Sequence, residues 1–315
     1  MNNTKKIINV NELNLNAKEN LPKLVLDSEN FFNKQIATIC KDATLNKNLK
    51  IVLLAGPSAA GKTTTSNLLK LNFEKFGKRV VIISLDNFFL ARAETPKLPD
   101  GSYDFESINA LDLKCLNNFV KDLLQKQKAL MPIYNFKTGK REKVLEEIAV
   151  DGNTIIIFEG LHALNPNLIE QNESEFLKLY IMPNSEFEID GKVILNSESI
   201  RMLRRITRDH YARGHSPYAT IKMWRNVVNG EKLYIDPYVP NAKYKINSIH
   251  DYEPLLYVNY TKKLLIEQKN QLLNEEVEIK NTIENLINAL NCFEPIDKNI
   301  VPTNSLLWEF INTIE

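Results

Sequence analysis

Five short apolar runs punctuate the chain: KIVLLA at 50–55, RVVIIS at 79–84, NTIIIFE at 153–159, FLKLYIM at 176–182 and KYKINS at 243–248. Their richness in Val, Ile and Leu predicts strands buried on both faces of a parallel sheet. Helical spacing fills the intervals, at 62–76, 107–127, 197–212, 217–229 and 252–269. The alternation predicts an α/β fold in three layers. Residues 130–152 interrupt it: LMPIYNF, KTGKR and EKVLEEIAVDG predict two strands about a Gly-containing turn, a β-hairpin inserted between the second and third parallel strands.

The ends read differently. Residues 1–20 are rich in Asn and Lys with little periodicity, which predicts an irregular arm, whereas Leu24, Phe31, Phe32, Ile36 and Ile39 predict a helix over about 21–43. Beyond 271, Leu272, Leu273, Val277, Ile283, Leu286 and Leu290 are spaced for one helix face. A break follows at Pro295, then a last short helix at Leu306–Ile311. No internal repeat is evident.

Composition adds exclusions. With 43% hydrophobic and 25% charged residues the 315-residue chain is an ordinary globular sequence, and its length is compatible with one large domain or two small ones. A net charge of +1 argues against a dedicated nucleic-acid or membrane-surface binder. Cys40, Cys115 and Cys292 are far apart without C-x-x-C spacing, so neither a disulfide framework nor a zinc site is predicted. The start, MNNTKKIINVNELN, is too polar for a signal peptide, and no apolar run approaches the ~20 residues that span a bilayer. A cytoplasmic location is the expectation.

Candidate chemistry begins at 55–65, AGPSAAGKTTT, where Gly56, Gly61, Lys62 and Thr63 satisfy G-x-x-x-x-G-K-[ST]. A predicted strand precedes the motif and a predicted helix follows it, the context a phosphate-binding loop requires. The backbone amides from Ser58 through Ala59, Ala60, Gly61 and Lys62 to Thr63, with Thr64 in the same segment, are expected to wrap the phosphates of a nucleoside triphosphate. Lys62 would reach the β- and γ-phosphates, and the Thr63 hydroxyl would ligate Mg²⁺. The competing reading is a Gly-rich turn that merely caps a helix.

Two acids end predicted strands at the sheet's carboxyl edge, where open α/β folds bind ligands. Glu159 stands where a carboxylate holds Mg²⁺ directly or through water; otherwise it is a solvated strand-end acid. Asp86 is placed either to orient an incoming hydroxyl and take its proton or to cap a short helix through Asn87–Leu90, and position alone leaves both open. Arg201, Arg204, Arg205 and Arg208 fall on one helix face, with Arg213 just beyond. Like charges so arranged want an anion opposite, so a mobile arginine lid over the triphosphate is preferred to a solvated face paired with Asp209. His162, His210, His215 and His250 show no metal-ligand spacing and read as structural.

The ordered set GPSAAGKTT, SLDNFF, DGSYDFES, PIYNFKTGKR, FEGLHALNP and RRITRD followed by ARG resembles the uridine kinase and phosphoribulokinase family of P-loop kinases. The likeness extends to a bacterial branch of uridine kinase-like proteins in which the kinase follows a threonyl-tRNA synthetase-like N-terminal domain. It runs from about Leu21 to the end and takes in GEKLYIDPY and VPTNSLLWEFI, and the synthetase-like domain is missing by this reading. The resemblance implies an N-terminal arm and helix at 1–45, a P-loop kinase domain at 46–270 and a C-terminal helical extension at 271–315. Within the kinase domain it implies an acceptor hairpin at 130–152 and an arginine lid region at 197–230.

Roles are implied residue by residue. Asp86 matches the catalytic base, acting with Lys62 and Arg208. Asp104 matches an acid that hydrogen-bonds ribose hydroxyls, and Tyr134 an aromatic of the nucleoside pocket. Arg205 and Arg208 match arginines on nucleoside and phosphates, and Arg213 a lid arginine. The chain departs from the pattern twice: Gly139 stands where pyrimidine nucleoside kinases carry a base-reading histidine, and His215 replaces an arginine.

The expected activity is Mg²⁺-dependent transfer of the ATP γ-phosphate to the 5′-hydroxyl of a ribonucleoside, with no nucleic-acid or membrane partner; a homo-oligomer is neither predicted nor excluded. A kinase for a sugar phosphate is the alternative within the same chemistry, supported by Lys137, Lys140 and Arg141 in the hairpin. A nucleotide-binding module without transfer activity is the alternative from another class. No D-x-x-G or N-K-x-D follows the loop, which disfavours a guanine-nucleotide switch.

Overall fold

The computed structural model describes residues 5–99, 101–169, 175–272 and 276–312. All five apolar runs form strands, at Ile51–Ala55, Arg79–Ser84, Thr154–Glu159, Phe176–Met182 and Tyr244–Asn247. They make a five-stranded sheet in which every neighbouring pair is parallel. Its spatial order is 244–247, 176–182, 51–55, 154–159, 79–84, so the strand that leads into the glycine loop is central. Ile51–Ala55 is buried at every position, as a strand covered on both faces must be.

The helices are α1 (Val10–Ala43), α2 (Lys62–Lys75), α3 (Leu113–Lys126), α4 (Ser197–Arg213), α5 (Pro217–Tyr234), α6 (Glu253–Asn259), α7 (Thr261–Gln271), α8 (Val277–Leu290) and α9 (Trp308–Ile311). The α3 boundary differs from the predicted 107–127 because Asp112 caps the helix through the Cys115 amide, after a short 3-10 turn at Ile108–Ala110. The predicted 252–269 helix is two, α6 and α7, broken at Tyr260.

The hairpin lies between the second and third parallel strands and has two tiers. Lys128–Met131 pairs with Glu146–Ala149, and nearer the tip Tyr134–Asn135 pairs with Lys140–Arg141. The predicted irregular arm is corrected by the structure. Lys6–Asn9 is a strand, parallel to Ser185–Ile189, and α1 already begins at Val10 because the Asn9 side chain accepts the Glu12 amide. The break expected near Leu21 is real but internal: Asn20 leaves helical geometry, its side chain accepts the Lys23 amide, and Pro22 falls in the first turn that follows, where its missing N–H costs nothing. The antiparallel pair Ser185–Ile189 and Lys192–Asn196 was not predicted, since its polar alternation is short and carries no long apolar run. Residues 1–4 and Leu273 of the expected end segments lie outside the described residues.

The chain ends are part of the main core. Ile8, Val10, Phe32 and Ile36 from the N-terminal side share one apolar cluster with Leu54, Leu69 and Leu179 of the α/β body and with Leu290, Leu306, Phe310 and Ile311 of the C-terminal side. Among the described residues no helix is long and apolar enough to cross a membrane.

A buried ion pair fastens α4 behind the glycine loop. Arg204 and Glu253 are each fully inaccessible and meet through two bonds of 3.0 Å. The same guanidinium donates to the Ser248 carbonyl and to the loop carbonyls of Ala59 and Ala60 at 2.8, 3.3 and 3.4 Å. Glu253→Ala would leave that cation buried without its counter-charge, and is expected to cost about 3–5 kcal/mol in urea unfolding. A loss below 1 kcal/mol would show that Arg204 finds water.

Candidate active site

The glycines of the motif are required by close approach. A Cβ on Gly56 would lie 2.4 Å from the Ile181 carbonyl oxygen, and Gly61 holds φ +96° with its would-be Cβ 2.5 Å from Leu306. Ala59 also takes a left-handed conformation, φ +60°, and the Ala60 amide turns back to the Pro57 carbonyl at 3.3 Å. Lys62 lies back along the loop, its Nζ 3.0 and 3.2 Å from the Gly56 and Pro57 carbonyls. Thr63 is exposed at the first turn of α2. Arg205 donates to the Ser58 hydroxyl at 3.0 Å, which ties α4 to the loop from the solvent side.

Glu159 ends its strand level with Leu54 and Ser84 on the two neighbouring strands and is buried. Burial first, and then the nearby Asp86 carboxylate, push it up to about 7, against the opposing pull of Lys62. Asp86 is likewise raised by burial, with Lys62, Arg213 and Arg208 pulling the other way. Asp86 does not cap: its short 3-10 helix, Leu85–Phe88, has Ser84 at the N-cap and no side-chain cap bond. The Glu159 carboxylate, with Asp86 near enough to raise it, and the exposed Thr63 hydroxyl are hard oxygen donors of the kind Mg²⁺ takes, one or two carboxylates with water and phosphate completing the shell. Among the described residues no group of three or more His, Cys, Asp or Glu is placed to hold a metal unaided.

The arginine face divides into two roles. Arg205, Arg208 and Arg213 converge on the buried Asp209 at 3.3, 2.8 and 3.2 Å. Arg208 and Arg213 are close enough to bear on Asp86. Arg201, by contrast, is buried against Glu231 at 2.5 and 2.8 Å, and Arg204 is the clamp already described. The expectation that all of these line a mobile lid is therefore corrected. Arg201 and Arg204 have carboxylate partners, Glu231 and Glu253, on α5 and α6, which no spacing within α4 discloses.

On the acceptor side, Asp104 is oriented by the Ser107 amide at 3.1 Å and the Tyr234 hydroxyl at 3.2 Å. Tyr134 is buried in an aromatic group with Phe89 and Phe136, at 5.6 and 5.1 Å between ring centroids, and its amide donates to the Asn87 side chain, which follows Asp86 directly. The hairpin is thus anchored to the Asp86 segment. Gly139 has φ +67°, and a Cβ there would lie 2.8 Å from Arg92, whose amide also donates to the Gly139 carbonyl. Backbone conformation and packing both demand glycine. Arg141 is engaged with Asp112 at 3.1 Å and with the Phe88 carbonyl at 3.0 Å.

Three acids near the loop escaped sequence reasoning. Glu106 sits between the charges of Arg205, Lys62, Asp104 and Glu231, and burial pushes it up to about 7. Its stem packs on Gly230 in the middle of α5, where a Cβ would come within 2.3 Å. The predicted helix stopped at 229, so Gly230 read as its end, whereas α5 runs on to Tyr234 and keeps a costly glycine inside. Glu231 follows it, and Glu309 approaches α2 from the far end of the chain.

The family model of the phosphoribulokinase / uridine kinase family matches residues 51–253. The chain belongs to this family. A uridine kinase of Ureaplasma urealyticum serovar 10 is 26% identical over 199 residues, covering 62% of this chain and 86% of the relative. One of Staphylococcus epidermidis is 28% identical over 188 residues, 59% and 82% respectively. A longer uridine kinase of Saccharomyces cerevisiae is 24% identical over 267 residues, 82% of this chain and 48% of its own. The matched span begins at the strand before the glycine loop and ends at Glu253, so it contains Asp86, Asp104, Tyr134, Glu159 and the whole of α4. In this member of the family the glycine loop follows the central strand, and Asp86 and Glu159 stand at the carboxyl ends of neighbouring strands.

The raised position of Glu159 has a sign that can be measured. A carboxyl whose folded pKa exceeds its unfolded value binds more protons folded than unfolded, so stability is lost as pH rises from about 4.5 through 7. Glu159→Gln removes that penalty. It should stabilise the ligand-free protein by up to about 3 kcal/mol at pH 8, at 1.36 kcal/mol per pKa unit, with the gain vanishing toward pH 4.5. Unfolding midpoints of both proteins between pH 4.5 and 8 test this, and parallel curves would mean that Glu159 titrates normally.

Proposed function

We propose that the protein is a nucleoside kinase which transfers the γ-phosphate of ATP to the 5′-hydroxyl of a ribonucleoside. The observation that carries this reading is Asp86. It is a half-buried, uncapping carboxylate beside Lys62 at the carboxyl edge of the sheet, in a chain of this kinase family whose relatives include uridine kinases. Asp86 takes the proton of the acceptor hydroxyl as its oxygen bonds to the γ-phosphorus; the bond from that phosphorus to the β-phosphate bridging oxygen breaks, and ADP leaves. Lys62, with the amides from Ser58 to Thr63, bears the charge on the phosphates, and Arg208 and Arg213 approach from the α4 side. Thr63 and Glu159 would hold Mg²⁺, which would supply neutralisation of charge on the transferring phosphate.

Asp104, fixed by Ser107 and Tyr234, presents a carboxylate to paired hydroxyls of a ribose. Tyr134 and Phe136 supply the aromatic wall for a base. A sugar-phosphate acceptor has less support, because Arg141, one of the three hairpin cations, is spent on Asp112 and Phe88. Nothing at Gly139 reads a base edge, so discrimination among pyrimidines rests on shape, which gives about 10–200-fold rather than the 10⁴ of a dedicated polar contact.

Asp86→Asn is expected to lower kcat with uridine by at least ~10²-fold while leaving ATP affinity within a few fold, as befits loss of a general base. Initial rates for uridine, cytidine, 2′-deoxyuridine and ribulose 5-phosphate complete the test. Uridine and cytidine should be accepted within the shape-limited range and 2′-deoxyuridine poorly, while a higher kcat/KM for the sugar phosphate would sink the nucleoside assignment.

A further inference from the structure

The first turn of α2 is already bound to an anion from the protein itself. The Thr64 amide donates to Oε2 of Glu309 at 3.0 Å, and the Thr64 hydroxyl meets the same oxygen at 3.0 Å. Amides in the first turn of a helix have no acceptor within it, and behind a glycine loop they are the donors that phosphate oxygens take. Thr64 follows Lys62 and Thr63 directly, so its amide belongs to that set. A carboxylate is the nearest protein equivalent of a phosphate oxygen pair.

Glu309 is no free-swinging surface group. Leu306, Leu307, Phe310 and Ile311 around it are buried. Leu306 fills the space above Gly61 where a side chain would otherwise project, and the Phe310 ring lies 4.9 Å from the Arg204 guanidinium, which also donates to the carbonyls of Ala59 and Ala60. The backbone that carries Glu309 is thus fixed against the phosphate loop from below. Only the side chain itself, which remains partly exposed, can turn away. Its charge is also felt at Glu159, on the other side of the loop.

We propose that Glu309 is a built-in competitor of the donor's phosphate chain: its carboxylate holds the Thr64 amide and hydroxyl in the nucleotide-free protein and must swing out before a triphosphate can use them, so this residue sets donor affinity. The proposal rests on the phosphate loop being the donor site, as in the function given above, but not on the identity of the acceptor. Competition of this kind loosens donor binding without touching the transfer step. It also keeps the first turn of α2 capped when no nucleotide is present.

Calorimetric titration without any acceptor tests it, using ATP with Mg²⁺, inorganic tripolyphosphate and adenosine against the wild type, Glu309→Gln, Glu309→Ala and Lys62→Ala. Both Glu309 variants should bind ATP about ten-fold tighter, the scale of losing a charge-assisted contact that must otherwise be broken. Tripolyphosphate should gain similarly and adenosine not at all. Thermal melts of the ligand-free Glu309 variants should fall by a few degrees, because a cap is lost, so affinity and stability move in opposite directions. Unchanged or weaker ATP binding in a folded Glu309→Gln protein overturns the proposal, and this near-isosteric variant decides the matter if Glu309→Ala fails to fold. Lys62→Ala separates the two levels of inference: if it weakens ATP binding while Glu309→Gln does not tighten it, only the competitor assignment falls, whereas ATP binding indifferent to Lys62 overturns both.

Discussion

A guanidinium without access to water holds the phosphate loop in shape. Arg204 reaches Glu253, the Ser248 carbonyl and the carbonyls of Ala59 and Ala60 at once, so α4, α6 and the loop share one charge that none of them can release separately. The loop needs such support. Its carbonyls at Ser58, Ala59 and Ala60 are turned toward α4, and carbonyls turned away from solvent need donors. Arg204 supplies them, and Arg201 does the same for Ser58 while paired to Glu231. Two cations that look like anion-binding groups in sequence are thus used to satisfy carbonyls of the glycine loop.

The same arrangement explains the clustering of acids. Asp86, Glu159 and Glu106 are all held above their ordinary range chiefly by burial, while Lys62 pulls each of them down. A site so constructed stores unfavourable charge that a dication and a triphosphate together would relieve. Asp209 plays the complementary part on α4, gathering Arg205, Arg208 and Arg213, of which Arg208 and Arg213 bear on Asp86.

Most of the sheet was legible in the sequence because a parallel strand buried on both faces leaves an unbroken apolar run, and each of the five runs became a strand within a residue or so of its expected ends. The glycine loop was legible because its spacing is imposed by close approach at Gly56 and positive φ at Gly61. What escaped was whatever depends on a partner far away in the chain. Lys6–Asn9 is a strand only because Ser185–Ile189 lies beside it, and Asn9 and Glu12 look like any polar arm until the cap they form is seen. Arg201 and Arg204 could not be told from Arg205 and Arg208 by helical spacing, since their difference lies in Glu231 and Glu253 on other helices. Gly139, which reads in sequence as a lost recognition residue, is in the fold a turn residue with Arg92 lying against it.

The contact of Leu306 with Gly61 has a bearing on how the molecule comes to exist. Loop-closure entropy must be met across about 245 residues before that contact forms, the kind of long-range contact that slows folding. On a ribosome, the central strands and the glycine loop emerge well before the segment that closes over them. A nascent chain therefore passes through a stage in which the loop is present but its apolar backing is not. Shielding that half-finished surface falls to the ribosome, to chaperones or to an anion bound early, and the segment around Leu306 acts as the latch that ends the exposure.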